Sequence, residues 1–415
     1  MACWPGSVEG SSERDEHRPG PDGDHRVPPV PRRPRARHRS RRRRRAGLPG
    51  HVRPGLPRPR RHPRAAGRRG PPAVTWFDEA RLDDESALGT VDLRLRHLAE
   101  SGSRVRREVG DAAEAADSAV ERARELDRPR AVIAAGPDSR LLRAVLEPWC
   151  PVPFVAWPGP ALPGWAGSLD LVVVLAPDGA DAGTASAVSE AVRRGCQVVV
   201  SCPPGSLVAE HTVGRYATVL PSTTRDQLAS AVVMLSYLHR VQLGPEAAPD
   251  SVADALDQVA LDCGPRKDLA VNPAKMLAIA LADAAPVVWG GSVLAARAAR
   301  RVAESVRRAS GRTAIAGDAE HLLPVIEAAR PRDVFDDPFA EGTSGPRPVL
   351  VLLDDGSEDA TVRTHRTRLL AAAAERGVRV ETLGSDAPTE VARYASLMLS
   401  GTYASEYLRL GLVED

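Results

Sequence analysis

Short apolar runs alternate along the chain with segments that carry apolar residues at helical spacing. The apolar runs occupy residues 130–135, 152–157, 169–175, 197–201, 286–289, 313–316, 348–353 and 378–382. Helical spacing marks residues 77–126, 140–146, 185–194, 227–243, 252–261, 293–305, 369–375 and 391–410. Short buried strands that alternate with helices are typical of a parallel sheet covered by helices. The predicted fold class is therefore α/β.

The pattern occurs twice. The run 132–135 with its turn Gly136-Pro137-Asp138-Ser139 matches the run 287–289 with its turn Gly290-Gly291-Ser292. The next strand, turn, helix and strand of the first half also have counterparts in the second half. We therefore predict two flavodoxin-like domains, over residues 74–245 and 246–415, each a parallel sheet flanked by helices.

Residues 1–73 form a basic tail of a different composition. Residues 1–70 contain 20 arginines and six acidic residues, with almost no apolar periodicity. Such a segment cannot bury enough surface to fold, so it is predicted to be disordered. Three interpretations stay open: an upstream extension of a chain that starts near Val74, a disordered tail, or a nonspecific nucleic-acid arm. Nucleic-acid binding is the weakest of these because no aromatic residue interleaves the arginines.

Composition narrows the class of protein. The 415 residues suffice for two ordinary domains, and no stretch of 18 apolar residues or secretory apolar segment is present. We therefore expect a cytoplasmic protein that makes no membrane contact. The five cysteines form no CxxC pair, so we expect them to be reduced and to serve packing. The acidic residues Asp333, Asp336, Asp337 and Glu341 are interpreted as a solvated loop rather than a metal site.

The turn Gly290-Gly291-Ser292 is the first candidate for binding chemistry. It lies between a buried strand and a helix, where backbone N–H groups and a serine hydroxyl can hold an anion such as a phosphate. Ligands of parallel sheets bind beyond the carboxyl ends of the strands, which is where this turn lies. A tight turn that binds nothing remains the alternative.

Asn272 and Pro273 predict the start of another helix, because they are an N-cap residue and a first-turn proline. Lys275 is interpreted as a surface residue of that helix.

Four segments in a characteristic order resemble the two-domain sugar isomerase (SIS) family. They are Leu162-Pro-Gly-Trp165 before the strand at 169–175, then 272–275, then 286–292, then the closing helix at 399–410. The resemblance is to the bifunctional phosphoglucose/phosphomannose isomerase branch, as a divergent, actinobacterial-like member. It implies two SIS domains and an intracellular homodimer that needs no metal and no cofactor.

The activity that the resemblance implies interconverts glucose 6-phosphate or mannose 6-phosphate with fructose 6-phosphate. Ring opening is followed by proton transfer between C1 and C2 through an enediolate, which needs a carboxylate, a histidine and a cation. The implied catalytic residues are Glu320, His321 and Arg225. The implied sugar-phosphate-binding residues are Gly290, Gly291, Ser292, Ser139, Gly179 and Thr184.

Two departures from the family pattern concern phosphate binding. In the turn 136–139, Pro137 removes an N–H donor and Asp138 adds an anion. In the loop 176–184, Asp178 and Asp181 stand where the family has hydroxyls. Two unit charges about 4 Å apart repel by about 1 kcal/mol in water and about 4 kcal/mol at intermediate dielectric. Two hypotheses therefore stay open: a divergent active isomerase, or a catalytically degenerate SIS protein that binds a sugar phosphate or a protein partner without turnover.

Overall fold

The structure is a computed structural model, and it describes residues 75–329 and 346–414. These residues belong to one compact unit, 69–415. The strands are β1 (Thr75–Phe77), β2 (Val132–Ala135), β3 (Phe154–Trp157), β4 (Leu171–Leu175), β5 (Gln197–Cys202), β6 (Ala217–Pro221), β7 (Ala284–Gly290), β8 (Ile315–Ala316), β9 (Arg347–Asp354), β10 (Arg379–Gly384) and β11 (Leu412–Glu414). The helices are α1 (Glu85–Gly89), α2 (Asp92–Ala99), α3 (Ser101–Arg124), α4 (Ser139–Leu146), α5 (Ala182–Arg193), α6 (Leu207–Glu210), α7 (Gln227–Arg240), α8 (Pro249–Cys263), α9 (Pro273–Leu281), α10 (Val293–Ser310), α11 (Ala319–Glu327), α12 (Ala360–Arg376) and α13 (Glu390–Gly411).

Two parallel sheets carry the same strand arrangement. The first has the order β3-β2-β4-β5-β6 and the second has the order β8-β7-β9-β10. Thus β2 and β7, β3 and β8, β4 and β9, and β5 and β10 are equivalent. In the first sheet the chain passes from β2 to β3 at one edge, and then crosses to β4 on the other side of β2. In the second sheet it passes in the same way from β7 to β8, and then to β9. The α/β fold class with parallel sheets flanked by helices is confirmed.

The two sheets share one layer of helices. One face of each sheet packs on the largest apolar core, which includes Val132 of β2, Val288 of β7 and residues of α3, α7, α8, α10 and α13. The opposite faces are covered by smaller cores, one under α5 and one under α11 and α12. The strands are apolar on both faces because both faces are buried. The shared layer explains why the two sheets form one compact unit, and the proposed boundary at 245/246 stays a prediction.

Strand β1 pairs with β11 in an antiparallel ladder, which ties the start of the described chain to its end. The Arg81 guanidinium strengthens this link by donating to the Leu410 carbonyl over 2.9 Å. The prediction of one helix over residues 77–126 was wrong. Asp84 caps a new helix at Ala87 N, and the segment divides into β1, a 3₁₀ turn (Glu79–Leu82) and helices α1 to α3.

The interpretation of Lys275 as a surface residue was also wrong. Lys275 is fully buried, and its Nζ donates to Asp83 Oδ1 over 2.6 Å. The same Nζ donates to the carbonyls of Pro265 and Lys267, each over 2.9 Å. Asn272 caps α9 as predicted, by accepting from the backbone of Ala274 and Lys275. The cap fixes the helix start, but the tertiary fold covers the side chain.

Residues 1–74 and 330–345 lie outside the described residues, so the predicted tail and the acidic cluster at 333–341 do too. The predicted strands are present, whereas β6 was missed because its alternating side chains are only half-buried. In the part of the chain that the structure describes, no helix combines the length and apolar content that crossing a membrane requires.

Candidate functional site

Each sheet has one point where its strand order reverses. In the first sheet this point lies between β2 and β4, and we call the turn 136–139 and the loop 176–184 the first switch point. In the second sheet it lies between β7 and β9, and we call the turn 290–292 and the loop 355–359 the second switch point. Parallel α/β sheets bind ligands at such points because the connections diverge there and leave a crevice.

The two segments of the first switch point touch. A Cβ on Gly136, which has φ of +87°, would lie only 3.1 Å from Thr184 Oγ1. The Thr184 backbone N–H and hydroxyl both donate to Asp181 Oδ2, over 2.6 and 2.7 Å. These hydrogen bonds lower the pKa of Asp181. The N-terminus of α5, where a phosphate would bind, is thus already occupied by a carboxylate of the same chain.

Gly179 has a structural reason to be glycine. Its φ is +65°, and a Cβ there would lie 2.4 Å from Ser206 Cβ at the start of α6. Both the left-handed backbone and the close approach require glycine. Its predicted role in substrate binding stays a prediction.

The N-terminus of α4 is different from that of α5. Ser139 is 1% exposed, and its Oγ has no hydrogen-bond partner among the described residues. Asp138 does not cap the helix with its side chain. Instead, Asp138 Oδ1 accepts from Gln227 Nε2 at the start of α7. The N–H groups of Ser139 and Leu141 donate to the carbonyls of Gly136 and Asp138, over 3.2 and 3.4 Å, so the first turn of α4 offers mainly a buried hydroxyl.

Asp138 lies among groups of both charges. Burial raises its pKa, and the neighbouring Asp178 acts in the same direction. Arg301 and Arg297, which belong to α10 of the second half, counteract this increase. A carboxyl group in such surroundings has a pKa closer to neutral than a solvated aspartate, which suits an acid or base in catalysis.

The α10 arginines reach the first switch point because α10 packs against α4. Arg297 and Arg301 are one helical turn apart, and Arg140 lies on the first turn of α4. We call these three residues the arginine cluster. Burial lowers the pKa of Arg297, and the charges of Arg301 and Arg140 lower it further.

The second switch point is closed by its own side chains. Ser292 Oγ caps α10 by accepting from Ala295 N over 3.0 Å, and it donates to Asp355 Oδ2. A Cβ on Gly290 would lie 2.3 Å from the Ala295 backbone, so this glycine is required by close packing. A Cβ on Gly291 would lie 2.3 Å from Val362 Cγ1. A cavity of about 270 Å³ next to Ser292 is lined by the carboxylates Asp355 and Glu390 and by Trp149, which makes it unfavourable for a phosphate.

Residues 270–411 match the family model of the bacterial phospho-glucose isomerase C-terminal SIS domain. The structure is similar to tagatose-6-phosphate ketose/aldose isomerase from Escherichia coli, with a TM-score of 0.55 and 13% identity over 75% of this chain and 91% of that chain. It is also similar to the C-terminal domain of glucosamine-fructose-6-phosphate aminotransferase from Francisella tularensis, with a TM-score of 0.54 and 13% identity over 77% of this chain and 97% of that chain. The chain has the SIS fold. No curated protein matches it in sequence.

The predicted catalytic pair of the second SIS domain lies on the surface. Glu320 and His321 are in the first turn of α11, with side-chain exposures of 61% and 81%. Arg368 of α12 pairs with Glu320 and lowers its pKa. His321 has Asp318 as its neighbour, 4.0 Å away. Within residues 75–329 and 346–414, neither residue is hydrogen-bonded to a switch point, so their catalytic role stays a prediction.

Arg225 lies in the turn between β6 and α7, after the last strand of the first sheet. Its φ of +55° is unusual for a residue with a side chain. Glu108 of α3 holds the preceding backbone, because its Oε2 accepts from Thr223 N and Thr224 N, each over 3.0 Å. On the other side Asp226 caps α7. Strain fixed from both sides is characteristic of functional positions.

The same turn connects Arg225 to the first switch point, since Gln227, two residues further, binds Asp138. Sequence reasoning missed Gln227 and the arginine cluster. The spacing of Arg297 and Arg301 could have indicated that they act together. They lie four residues apart in the helix that follows a glycine turn, so they share one face of that helix. The sequence did not reveal that this face meets the first SIS domain.

Proposed function

We propose that the chain is a phosphosugar-binding SIS protein whose ligand occupies the first switch point. The Ser139 hydroxyl carries the proposal, because it is buried at the N-terminus of α4 without a partner in the described part of the chain. A phosphate oxygen would accept from this hydroxyl, close to the positive end of the helix. The SIS fold and the family match over residues 270–411 support this ligand class.

The reaction we propose is aldose–ketose isomerisation, between glucose 6-phosphate or mannose 6-phosphate and fructose 6-phosphate. It needs a base that moves a proton between C1 and C2 of the opened sugar. Asp138 suits this role better than Glu320, because burial raises the pKa of Asp138 whereas Arg368 lowers that of Glu320. Arg225, on its rigid turn beside Gln227, is the proposed cation for the enediolate.

A second candidate function is binding of a sugar phosphate or a protein partner without turnover. Asp181 favours it, because this carboxylate already holds both donor groups of Thr184 in the loop that SIS isomerases are expected to use for phosphate. In this alternative the first switch point would recognise a ligand but would lack the groups for chemistry.

Coupled assays of the full chain with mannose 6-phosphate and glucose 6-phosphate test the reaction. General-base catalysis contributes about 10²- to 10⁴-fold, so we expect Asp138→Asn to lower kcat by at least about 100-fold. The matched change Glu320→Gln should leave kcat within about twofold. A loss of turnover in Glu320→Gln alone would contradict the role of Asp138.

Binding is measured separately, by calorimetry with fructose 6-phosphate. We expect Ser139→Ala to weaken binding by about tenfold or more, since a hydrogen bond to a charged group contributes about 1.5–3 kcal/mol. The ligand-free protein should not lose stability, because the Ser139 hydroxyl has no partner to lose. Binding without turnover would support the second candidate. No binding at all would exclude the isomerase and the sugar-phosphate form of the second candidate, and would leave only the protein partner.

We also propose that the chain forms a homodimer in the cytoplasm, as the resemblance implies. Light scattering of the full chain in solution tests the homodimer, and a monomer at micromolar concentration would contradict it.

A further inference from the structure

Arg297 is a cation in unfavourable surroundings. It lies half-buried on α10, and its Nε is buried without a hydrogen-bond partner among the described residues. Its guanidinium bonds to the Tyr394 hydroxyl, which is itself buried on α13. No carboxylate of the described chain forms an ion pair with it. Asp138 attracts Arg297 without forming an ion pair, so the half-buried charge of Arg297 is only partly compensated, which is costly.

Two further arginines raise this cost. Arg301 lies one turn along α10 and pairs with Glu304 over 2.8 Å, a carboxylate that Arg308 shares over 2.6 Å. Arg140 comes from the first turn of α4, which packs against α10. Like charges at close range repel, and the fold keeps these three together nevertheless. Guanidinium groups are the side chains that commonly bind phosphate oxygens in proteins.

The first turn of α4, which packs against α10, adds the Ser139 hydroxyl as a donor. Ser139 follows Asp138 directly and precedes Arg140, and its buried hydroxyl has no partner in the described residues. The acidic groups that face this region are Asp138, Asp178 and Asp181. Asp138 accepts from Gln227 and also attracts Arg301 and Arg297, while Asp181 binds Thr184. Within the described residues, neither carboxylate forms an ion pair with Arg297.

The two turns that the sequence favours for phosphate are closed. Asp181 occupies the 176–184 loop, and Asp355 occupies the turn at Ser292. We infer that the phosphate group of the ligand binds between the arginine cluster and the N-terminus of α4. This inference rests on the proposed function and deepens it: the second SIS domain would supply the phosphate-binding cations for a sugar held by the first.

Calorimetry of the full chain with inorganic phosphate and with fructose 6-phosphate tests this site. We expect Arg297→Gln to weaken the binding of both by at least tenfold. Arg300→Gln is the matched control on the same helix, because Arg300 is 55% exposed and faces Asp318 over 3.7 Å. This variant should change either affinity by less than twofold.

If Arg297 served only to stabilise the fold, Arg297→Gln would lower the Tm of the ligand-free protein. We expect instead that removing a cation without an ion-pair partner leaves this Tm unchanged or higher, while the phosphate-induced rise in Tm is lost. If Arg297→Gln does not fold, Arg301→Gln replaces it with the same expected loss of affinity. Unchanged affinity in the folded variant would overturn the inference.

The outcomes separate the inference from the proposed function. If fructose 6-phosphate binding is weakened by Ser139→Ala but not by Arg297→Gln, the inference is overturned and the proposed function stands. If inorganic phosphate binds through Arg297 but no sugar phosphate binds more tightly than phosphate itself, the inference is supported and the proposed function is overturned.

Discussion

At the scale of single residues, the placement of charged groups is the most informative feature. Lys267 and Lys275 are the only lysines of the sequence, and their surroundings are opposite. Lys275 is fully buried, with Asp83 and two carbonyls as acceptors and the Tyr407 ring 5.5 Å away. Lys267 is 41% exposed and faces Asp262 over 3.6 Å. One lysine therefore contributes to the fold and the other to the surface.

We expect Lys275→Met to lower the free energy of unfolding by about 2–3 kcal/mol, because it leaves two carbonyls and Asp83 without their donor. Breaking a fully buried ion pair usually costs about 3–5 kcal/mol of unfolding free energy. The expected loss is smaller here because the Asp83 side chain is 45% exposed and can be hydrated. Urea denaturation measures the change. Lys267→Met, the control, should stay within about 0.5 kcal/mol, and equal losses in the two variants would contradict this account.

Residue-scale chemistry also explains why the predicted phosphate turns are closed. At Thr184 and at Ser292, a hydroxyl at a helix N-terminus binds an aspartate of the same chain. Asp181 and Asp355 thereby give each helix the negative charge that its positive end favours. Ser139 has no such partner in the part of the chain described, which makes it the exception that points to a ligand.

At the scale of elements, one helix holds the turn that carries Arg225. Glu108 of α3 is fully buried, and besides the two backbone groups of the turn it accepts from Ser230 Oγ over 3.3 Å. Arg104, one turn earlier on α3, pairs with Asp226 over 2.7 Å. Glu108 and Arg104 of α3 therefore hold the turn between β6 and α7 in place.

We expect Glu108→Ala to lower the free energy of unfolding by about 2–3 kcal/mol, because it leaves two part-buried backbone N–H groups and the buried Ser230 hydroxyl without this acceptor. Hydrogen exchange at Thr223 and Thr224 should rise more than at α10, since the turn loses its anchor first. Glu114→Ala, on the exposed side of the same helix, should have little effect on either measurement. Uniform exchange across the protein would show that Glu108 supports the whole fold and not this turn.

At the scale of the whole molecule, the segment 75–84 closes the structure. It contributes β1 to the ladder with β11, the fully buried Leu82, and the Asp83 partner of Lys275. These contacts join the start of the described chain to α9 and α13, nearly 200 residues or more away along the sequence. The first residues that the structure describes are therefore part of its fold, and the boundary at Val74 stays a prediction.

We expect deletion of residues 1–73 to leave the Tm within about 2 °C, and deletion of residues 1–84 to lower it by at least about 5 °C. The second deletion removes a buried leucine, at about 2–5 kcal/mol, and the carboxylate of a buried lysine. Calorimetry of both truncated chains measures the difference. Equal Tm values would mean that the β1–β11 ladder and Leu82 contribute nothing to stability.

The sequence by itself determined the alternation of strands and helices, the repeat of two parallel sheets, and the glycine turns at their carboxyl ends. These features depend on local periodicity and on the backbone freedom of glycine, which neighbouring residues encode. It also located Ser139, Thr184 and Ser292 at helix starts. It did not determine the partners of Ser292 and Lys275, because Asp355 and Asp83 lie 63 and 192 residues away from them.

Only the tertiary structure showed that the first switch point lies against a helix of the second half of the chain. The shared helical layer brings α10 against α4, so that Arg297 and Arg301 face Asp138 across more than 150 residues of sequence. A helical face is readable from sequence spacing, but the element against which it packs is not, because that depends on how two sheets pack around common helices. The same packing buries Lys275 and leaves Glu320 on the surface.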